Sequence, residues 1–212
     1  MATPKEMRNE LLAAKIIKGL EKRHMEGYFC KTSADAIKKA LELISEGSSI
    51  TWGGSMTIRD MGLAKTLIGG NYNVFDRDTC TDPEKFQQGM RDAFSMDWFI
   101  ASANAITEDG IMVNIDGLGN RVAAITFGPK NVLMVVGLNK VTQDVESAVK
   151  RARSTASPLN AHRFDIKTPC LADGTCHDCT SNDCICSCIH ILRNSKIPNR
   201  IKVILVDEEL GF

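Results

Sequence analysis

The chain has 212 residues, and its 26 Lys and Arg residues balance 26 Asp and Glu residues, so its formal net charge is zero. With 43% hydrophobic and 25% charged residues, this length can bury a full core, which excludes an intrinsically disordered chain. The neutral balance gives no support for a nucleic-acid partner or an anionic membrane partner, because both need a basic surface. No apolar run approaches the roughly 20 residues that span a bilayer.

The first ten residues, Met1 to Glu10, are charged and lack the apolar stretch and small-residue cleavage site of a secretion signal. We therefore expect a cytoplasmic protein. In a reducing compartment, the eight cysteines are more typical of metal ligands or redox groups than of disulfides.

The predicted elements alternate along the chain. Helical spacing of apolar residues, with capping residues before it, predicts helices from Pro4 to about Gly27, Ser33 to Gly47, Thr57 to Ile68, Asp82 to Phe94 and Asp144 to Arg153. Apolar runs predict strands at Tyr28–Cys30, Ser49–Trp52, Asn73–Asp76, Trp98–Ala101, Ile111–Ile115, Val132–Val136 and Ile201–Val206. This order predicts one α/β domain over residues 1–212, with a mostly parallel sheet and helices on both faces. Residues 154–198 lose both periodicities and are expected to form an irregular, cysteine-rich segment.

A glycine-rich turn over residues 49–57 has the form of strand, tight turn and helix. Unpaired backbone N–H groups at such a turn favour a phosphate or carboxylate, and nearby hydroxyls add donors. The candidate ligand-binding residues here are Gly53, Gly54, Ser55 and Thr57. The alternative is a plain turn in which Ser55 or Thr57 caps the helix. The turn lacks both the P-loop lysine and the G-x-G-x-x-G pattern, so we infer no nucleotide cofactor.

The polar segment Ser102 to Gly110 follows a predicted buried strand, and open α/β sheets bind ligands at such strand ends. Glu108 is the candidate general base or nucleophile. Asp116, Asn120 and Arg121 follow as candidate ligand-binding residues, with Arg121 suited to hold a carboxylate or phosphate. The alternative is a hairpin with turn-forming glycines and solvated acids, and the spacing alone favours this alternative.

Six of the eight cysteines follow one another with the spacing C-x5-C-x2-C-x4-C-x-C-x-C. The C-x2-C pair lets two thiolates bind one metal, and four thiolates complete either a zinc site or an iron–sulfur cluster. The predicted ligands are Cys170, Cys176, Cys179 and Cys184. Cys186 and Cys188 are spare thiols, although either could replace Cys184. A thiol–disulfide redox loop and inert thiols remain as alternatives.

Three segments in this order resemble the LUD-domain (lactate-utilisation) family: Thr51–Thr57, Asn104–Gly110 and Asp116–Val122. The residues from Pro158 through Arg163-Phe164-Asp165, Pro169-Cys170, Cys176 and Cys179 to Leu210-Gly211-Phe212 resemble its short, cysteine-bearing branch. The resemblance covers essentially the whole chain. It implies a fold similar to the NagB/RpiA/CoA-transferase group, in which ligands bind near a glycine turn and an acidic loop. It therefore supports Gly53, Gly54, Ser55 and Glu108 as site residues.

Two functions follow from these observations. The resemblance implies an accessory component of lactate utilisation or a related cytoplasmic redox pathway, with zinc or iron–sulfur on the cysteines. Its partners would be a small anionic ligand and other lactate-utilisation subunits, and a homo-oligomer remains open. Larger family subunits carry a ferredoxin-like extension that this chain lacks, so electron relay would depend on the cysteine segment. The alternative is a stand-alone isomerase- or transferase-like enzyme that acts on a sugar phosphate or acyl-CoA through Glu108.

Overall fold

The computed structural model describes residues 2–212. Its strands are β1 Glu26–Cys30, β2 Ser49–Trp52, β3 Asn73–Val74, β4 Trp98–Ala101, β5 Ala105–Thr107, β6 Met112–Asp116, β7 Asn131–Gly137, β8 Val141–Thr142, β9 Cys188–Leu192 and β10 Ile201–Val206. Its α-helices are α1 Pro4–Lys22, α2 Ser33–Leu43, α3 Met56–Asp60, α4 Leu63–Ile68, α5 Pro83–Asp92, α6 Asn120–Phe127, α7 Val145–Arg151, α8 Ser157–Ala161 and α9 Cys170–Asp173. Across residues 2–212, no helix is long and apolar enough to cross a membrane.

The larger sheet has six strands in the order β1-β10-β7-β4-β2-β3, and every neighbouring pair is parallel. Its central strands are apolar at nearly every position, as expected for strands covered on both faces. Alternate residues of β7 enter different cores: Met134 packs with α1, whereas Val135 packs with α2, α3 and α4. The predicted α/β fold, with a largely parallel sheet and helices on both faces, is confirmed.

The smaller sheet was not predicted from the sequence. Its order is β8-β5-β6-β9, with antiparallel pairs at β5–β6 and β6–β9 and a parallel pair at β5–β8. Strands β5 and β8 have only three and two residues, so they are too short to show a periodicity. Strand β9 lies within the cysteine-rich segment. The estimate of about seven strands was therefore too low for residues 2–212.

Several predicted helix boundaries were also wrong, and the first helix, for example, ends at Lys22 and not at about Gly27, which lies in β1. The helix expected from Thr57 to Ile68 is broken into α3 and α4 because Gly62 has a left-handed backbone, with φ of 86°. The helix that begins at Val145 continues beyond Arg153 through a π-helical turn, Ala152–Ala156, into α8. The segment 154–198 is thus less irregular than predicted, since it also contains α9 and β9.

Candidate functional site

A polar cavity of about 60 Å³ lies at the carboxyl ends of three neighbouring parallel strands, β2, β4 and β7. We call it the central cavity. It is lined by Gly54, Ser55, Met56, Thr57, Ser102, Ala103, Asn104, Ile115, Arg121, Lys140, Ala156, Ser157, Asn160, Arg163, Ile185 and Phe212. The loop after each strand supplies part of this lining, which is the usual position of ligand sites in open parallel sheets.

Lys140 is the most unusual residue of the central cavity, because it is a lysine with only 3% of its surface exposed. Its Nζ donates to the hydroxyl oxygens of Thr57, at 2.9 Å, and Ser102, at 3.1 Å. It forms no ion pair with a carboxylate in residues 2–212. Burial, reinforced by the charges of Arg151 and Arg121, lowers the pKa of Lys140 to about 7.

Arg121 lines the central cavity together with Lys140, and only 13% of its side chain is exposed. Its Nη hydrogens reach four acceptors: Ser102 O, Asn104 Oδ1, Asn114 Oδ1 and Ile115 O. Its Nε lies 3.4 Å from Oδ2 of Asp116, whose Oδ1 accepts the backbone N–H of Gly119. Because protein atoms occupy these donors, Arg121 organises the cavity wall and supplies positive charge. The predicted direct hydrogen bonds from Arg121 to a ligand have little support from this geometry.

The two glycines of the turn have different surroundings. A Cβ at Gly53 would lie 2.6 Å from Cδ of Arg121, so the absence of a side chain lets the arginine pass. A Cβ at Gly54 would meet nothing within 4 Å, and Gly54 lines the central cavity. Ser55 caps α3 by accepting the backbone N–H of Ile58, as the alternative reading of the turn predicted, while still lining the cavity.

Arg163 supplies a second guanidinium to the cavity lining, on α8's C-terminal side. Its Nη1 donates to the side chain of Asn160 and it stacks over Phe164, and it makes no ion pair in residues 2–212. Unlike Arg121, this guanidinium retains donors for a ligand. The π-helical turn before α8 brings Ala156 and Ser157 to the same lining, and such turns are frequent at functional sites.

Glu108 does not line the central cavity. It lies at the tip of the β5–β6 hairpin, where its side chain pairs with Lys15 of α1. The neighbouring Asp109 binds Arg23, and Gly110 adopts φ of 88°, where a Cβ would lie only 2.8 Å from the backbone nitrogen of Leu20. The hairpin alternative therefore describes this loop, and it docks the smaller sheet onto α1.

Asn120 and Asp116 also lie outside the lining of the central cavity. The Asn120 amide faces Met90 in a small hollow beside Phe99, whereas Asp116 acts through Arg121. Of the eight residues predicted to bind or act on a ligand, the structure brings four to the central cavity: Gly54, Ser55, Thr57 and Arg121.

A second cavity, of about 100 Å³, is lined by five cysteines, and we call it the cysteine cavity. The cysteines are Cys170, Cys176, Cys179, Cys184 and Cys186. Cys188 is absent from this lining and its Sγ lies near Gly119 instead. All eight cysteines are free thiols. Burial raises the pKa of the Cys186 thiol to about 11, while Arg153 donates a hydrogen bond to the sulfur of Cys176.

The cysteine cavity fits a thiolate-bound metal in its donor type and donor number, since four thiolates complete either zinc or iron–sulfur ligation. All four predicted ligands line it. Within residues 2–212, however, no three potential ligands already stand in metal-binding geometry. The sulfurs would therefore have to move closer together to bind one metal.

The two cavities share a wall. Ile115 and Ser157 line both of them. Ile185, which stands between Cys184 and Cys186 in the chain, lines the central cavity and packs against Gly117. A ligand in the central cavity would thus lie directly beside the cysteine loop.

The sequence model of the LUD domain matches residues 13–206. The chain belongs to the LUD domain family. The crystal structure of a DUF162 family protein from Deinococcus radiodurans is similar, with a TM-score of 0.51 and 14% identity over 97% of this chain and 99% of that one. This similarity shows the shared fold. The δ subunit of eIF2B from Chaetomium thermophilum has a TM-score of 0.34 and 13% identity over 69% and 59% of the two chains, too low to support an argument. No curated protein matches by sequence.

In this LUD domain, the sequence-based prediction missed Lys140, Asn160 and Arg163 as cavity residues. Lys140 follows the strongly apolar strand β7, at the same kind of strand end that drew attention to Glu108. The rule about strand ends could therefore have named Lys140 as a candidate, although not the residues that it lies beside. Arg163 was quoted only for the family resemblance, because no periodicity around α8 indicates which way its side chain points.

Proposed function

We propose that this LUD domain is an accessory component of lactate utilisation or a related cytoplasmic redox pathway. In this proposal it binds a small organic acid in the central cavity, beside a metal held by cysteines. The observation that carries the proposal is the wall shared by the central cavity and the cysteine cavity, formed by Ile115 and Ser157.

The charge of the central cavity supports an anionic ligand. Arg121 and Arg151 are half-buried and both act on Lys140, and Asp116 is the carboxylate that pairs with Arg121. Uncompensated buried positive charge is costly, and an incoming carboxylate would offset that cost. Arg163 would contact the carboxylate from the lining, and Gly54 leaves room for it to approach the backbone.

The cysteine cavity would hold the metal through Cys170, Cys176, Cys179 and either Cys184 or Cys186. Zinc would supply a structural or Lewis-acid centre, whereas an iron–sulfur cluster would supply one-electron redox chemistry. Arg153 would offset thiolate charge at Cys176, and Asp178 in turn pairs with Arg153. The cavity's own residues would position the organic acid near this centre and exclude bulk water.

The small size of the central cavity favours this function over the second candidate. A polar cavity of about 60 Å³ suits a short organic acid, whereas most of a sugar phosphate or acyl-CoA would extend beyond it. Glu108, the proposed catalyst of that candidate, lies on a different surface of the domain.

Metal analysis of anaerobically purified protein tests the proposal. We expect about one equivalent of zinc, or about four of iron with visible absorption. Cys176→Ser should lower the metal content at least about fivefold, while Cys188→Ser, whose sulfur is outside the cavity, should not. Less than about a tenth of an equivalent of either metal in the anaerobic protein would refute the metal centre.

A further inference from the structure

The amine of Lys140 has a hydrogen-bonding arrangement that the proposed function does not explain. The Thr57 hydroxyl donates its hydrogen to the carbonyl oxygen of Leu210, and the Ser102 hydroxyl donates to that of Ala103. Both hydroxyl oxygens are therefore acceptors for Lys140, which donates two hydrogens to them. No further acceptor in residues 2–212 faces this nitrogen, so its remaining position is left for whatever enters the central cavity.

In the neutral amine, that remaining position is the lone pair. Three conditions favour the neutral form. The side chain is almost completely buried, Arg121 and Arg151 are the charged groups that act on it, and no carboxylate pairs with it. A lysine that is desolvated and placed near other cations is a recognised form of activated nucleophile.

We propose that Lys140 is a nucleophile that forms an imine with the carbonyl group of a small oxo acid in the central cavity. This inference rests on the proposed anion-binding function and names its substrate class. Binding of a carboxylate alone would need only positive charge, which Arg163 and Arg121 already provide. The neutral amine adds a group that reacts with an adjacent carbonyl carbon.

The reaction is balanced without a redox partner. The Nζ lone pair attacks the carbonyl carbon, a C–N bond forms, and the carbonyl π electrons move to oxygen. That oxygen takes the proton released by nitrogen to give a carbinolamine. The carbinolamine hydroxyl then takes up a proton from solvent, the C–O bond breaks, and water leaves. A protonated imine remains. The new positive charge is offset by the carboxylate of the bound acid.

Trapping with glyoxylate and sodium borohydride tests the inference on the whole 212-residue chain. Borohydride supplies the hydride that converts an imine into a stable secondary amine, and peptide mapping then locates the adduct. At pH 7 about half of Lys140 is neutral, against fewer than about one in a thousand for an exposed lysine. We therefore expect labelling of Lys140 to exceed that of any exposed lysine by at least about tenfold.

Glycolate is the matched ligand, because it has the carboxylate but no carbonyl group. It should bind and protect Lys140 from glyoxylate without forming an adduct itself. Lys140→Met should lose the dominant adduct, and Lys38→Met, which removes an exposed lysine of α2, should keep it. The mapping on wild-type protein decides the question even if Lys140→Met fails to fold.

The possible results separate the two proposals. A dominant adduct at Lys140 that glycolate suppresses supports the imine. Binding of glyoxylate and glycolate by calorimetry without an adduct at Lys140, or with labels spread over exposed lysines, overturns the imine and leaves the anion cavity standing. If calorimetry detects neither acid and no adduct forms at Lys140, both the anion cavity and the imine are refuted.

Discussion

The central cavity and the cysteine cavity share a wall, yet their surroundings differ in kind. The loops around the central cavity are fixed by the ends of parallel strands and by the buried Arg121, whose donors are taken up by protein atoms. The cysteine cavity is surrounded by a loop in which Cys176 is exposed and the sulfurs do not converge.

This difference indicates which cavity is preorganised. The hydrogen bonds of Arg121 and Lys140 hold the central cavity in shape without a ligand. No residue of the cysteine loop, residues 171–187, is fully buried, so a bound metal would contribute much of its order. Four predictions follow from this comparison, beginning with the largest expected effect.

Replacing Arg121 should damage the framework of the central cavity. Arg121→Met leaves Asp116 buried without its partner and frees four acceptors, so we expect the free energy of unfolding to fall by about 3–5 kcal/mol. Arg163→Met, in the lining of the same cavity, removes a guanidinium with one hydrogen bond and should cost less than about 1 kcal/mol. Denaturant unfolding measures both, and equal losses would contradict the assigned roles.

Lys140 should make stability depend on pH. Its pKa in the folded state, about 7, is below that of the unfolded chain, so the unfolded state binds more protons between pH 7 and about 10. The contribution of Lys140 to the free energy of unfolding therefore increases as the pH rises. Relative to Lys140→Met, wild-type protein should gain about 2 kcal/mol between pH 7 and 9 without ligand. If the free energies of unfolding of the two proteins changed equally with pH, the lysine would not be neutral when buried.

Gly54 should control access to the central cavity without controlling the fold. Its φ lies outside the left-handed region and a Cβ there has free space. Gly54→Val should therefore fold, place its branched side chain in the cavity, and weaken glycolate binding at least about tenfold, or about 1.4 kcal/mol. Gly54→Ala, which adds only one methyl group, should weaken binding less. Calorimetric titration gives both affinities, and unchanged binding in the valine variant would remove Gly54 from the site.

Glu108→Gln should have the smallest effect. The substitution keeps the shape of the hairpin tip and removes a partly exposed ion pair with Lys15, which is worth less than about 1 kcal/mol. Glycolate affinity should not change, because Glu108 lies outside the central cavity. A tenfold loss of glycolate binding in this variant would restore Glu108 as a site residue.

Much of the fold could be predicted because the strands of the larger sheet form recognisable apolar runs in the sequence. Strands β7 and β10 are almost entirely apolar, apart from Asn131 and Lys202, which is typical of strands covered on both faces. The smaller sheet could not be predicted in the same way, because β5 and β8 are short and gain their hydrogen bonds only from strands distant in the chain. The break at Gly62 was also missed, since glycine is tolerated inside helices and its φ is not encoded locally.

By itself, the sequence determined the parallel sheet, the turn at Gly54 and the gathering of thiols after Cys170. Local composition carries each of these features. Only the tertiary structure decided that Lys140 and Arg163 join Gly54, that Cys188 stays outside the cysteine cavity, and that Glu108 lies on another surface. These outcomes depend on which strand ends become neighbours and on how α8 packs. Such contacts join residues far apart in the chain, and no local pattern records them.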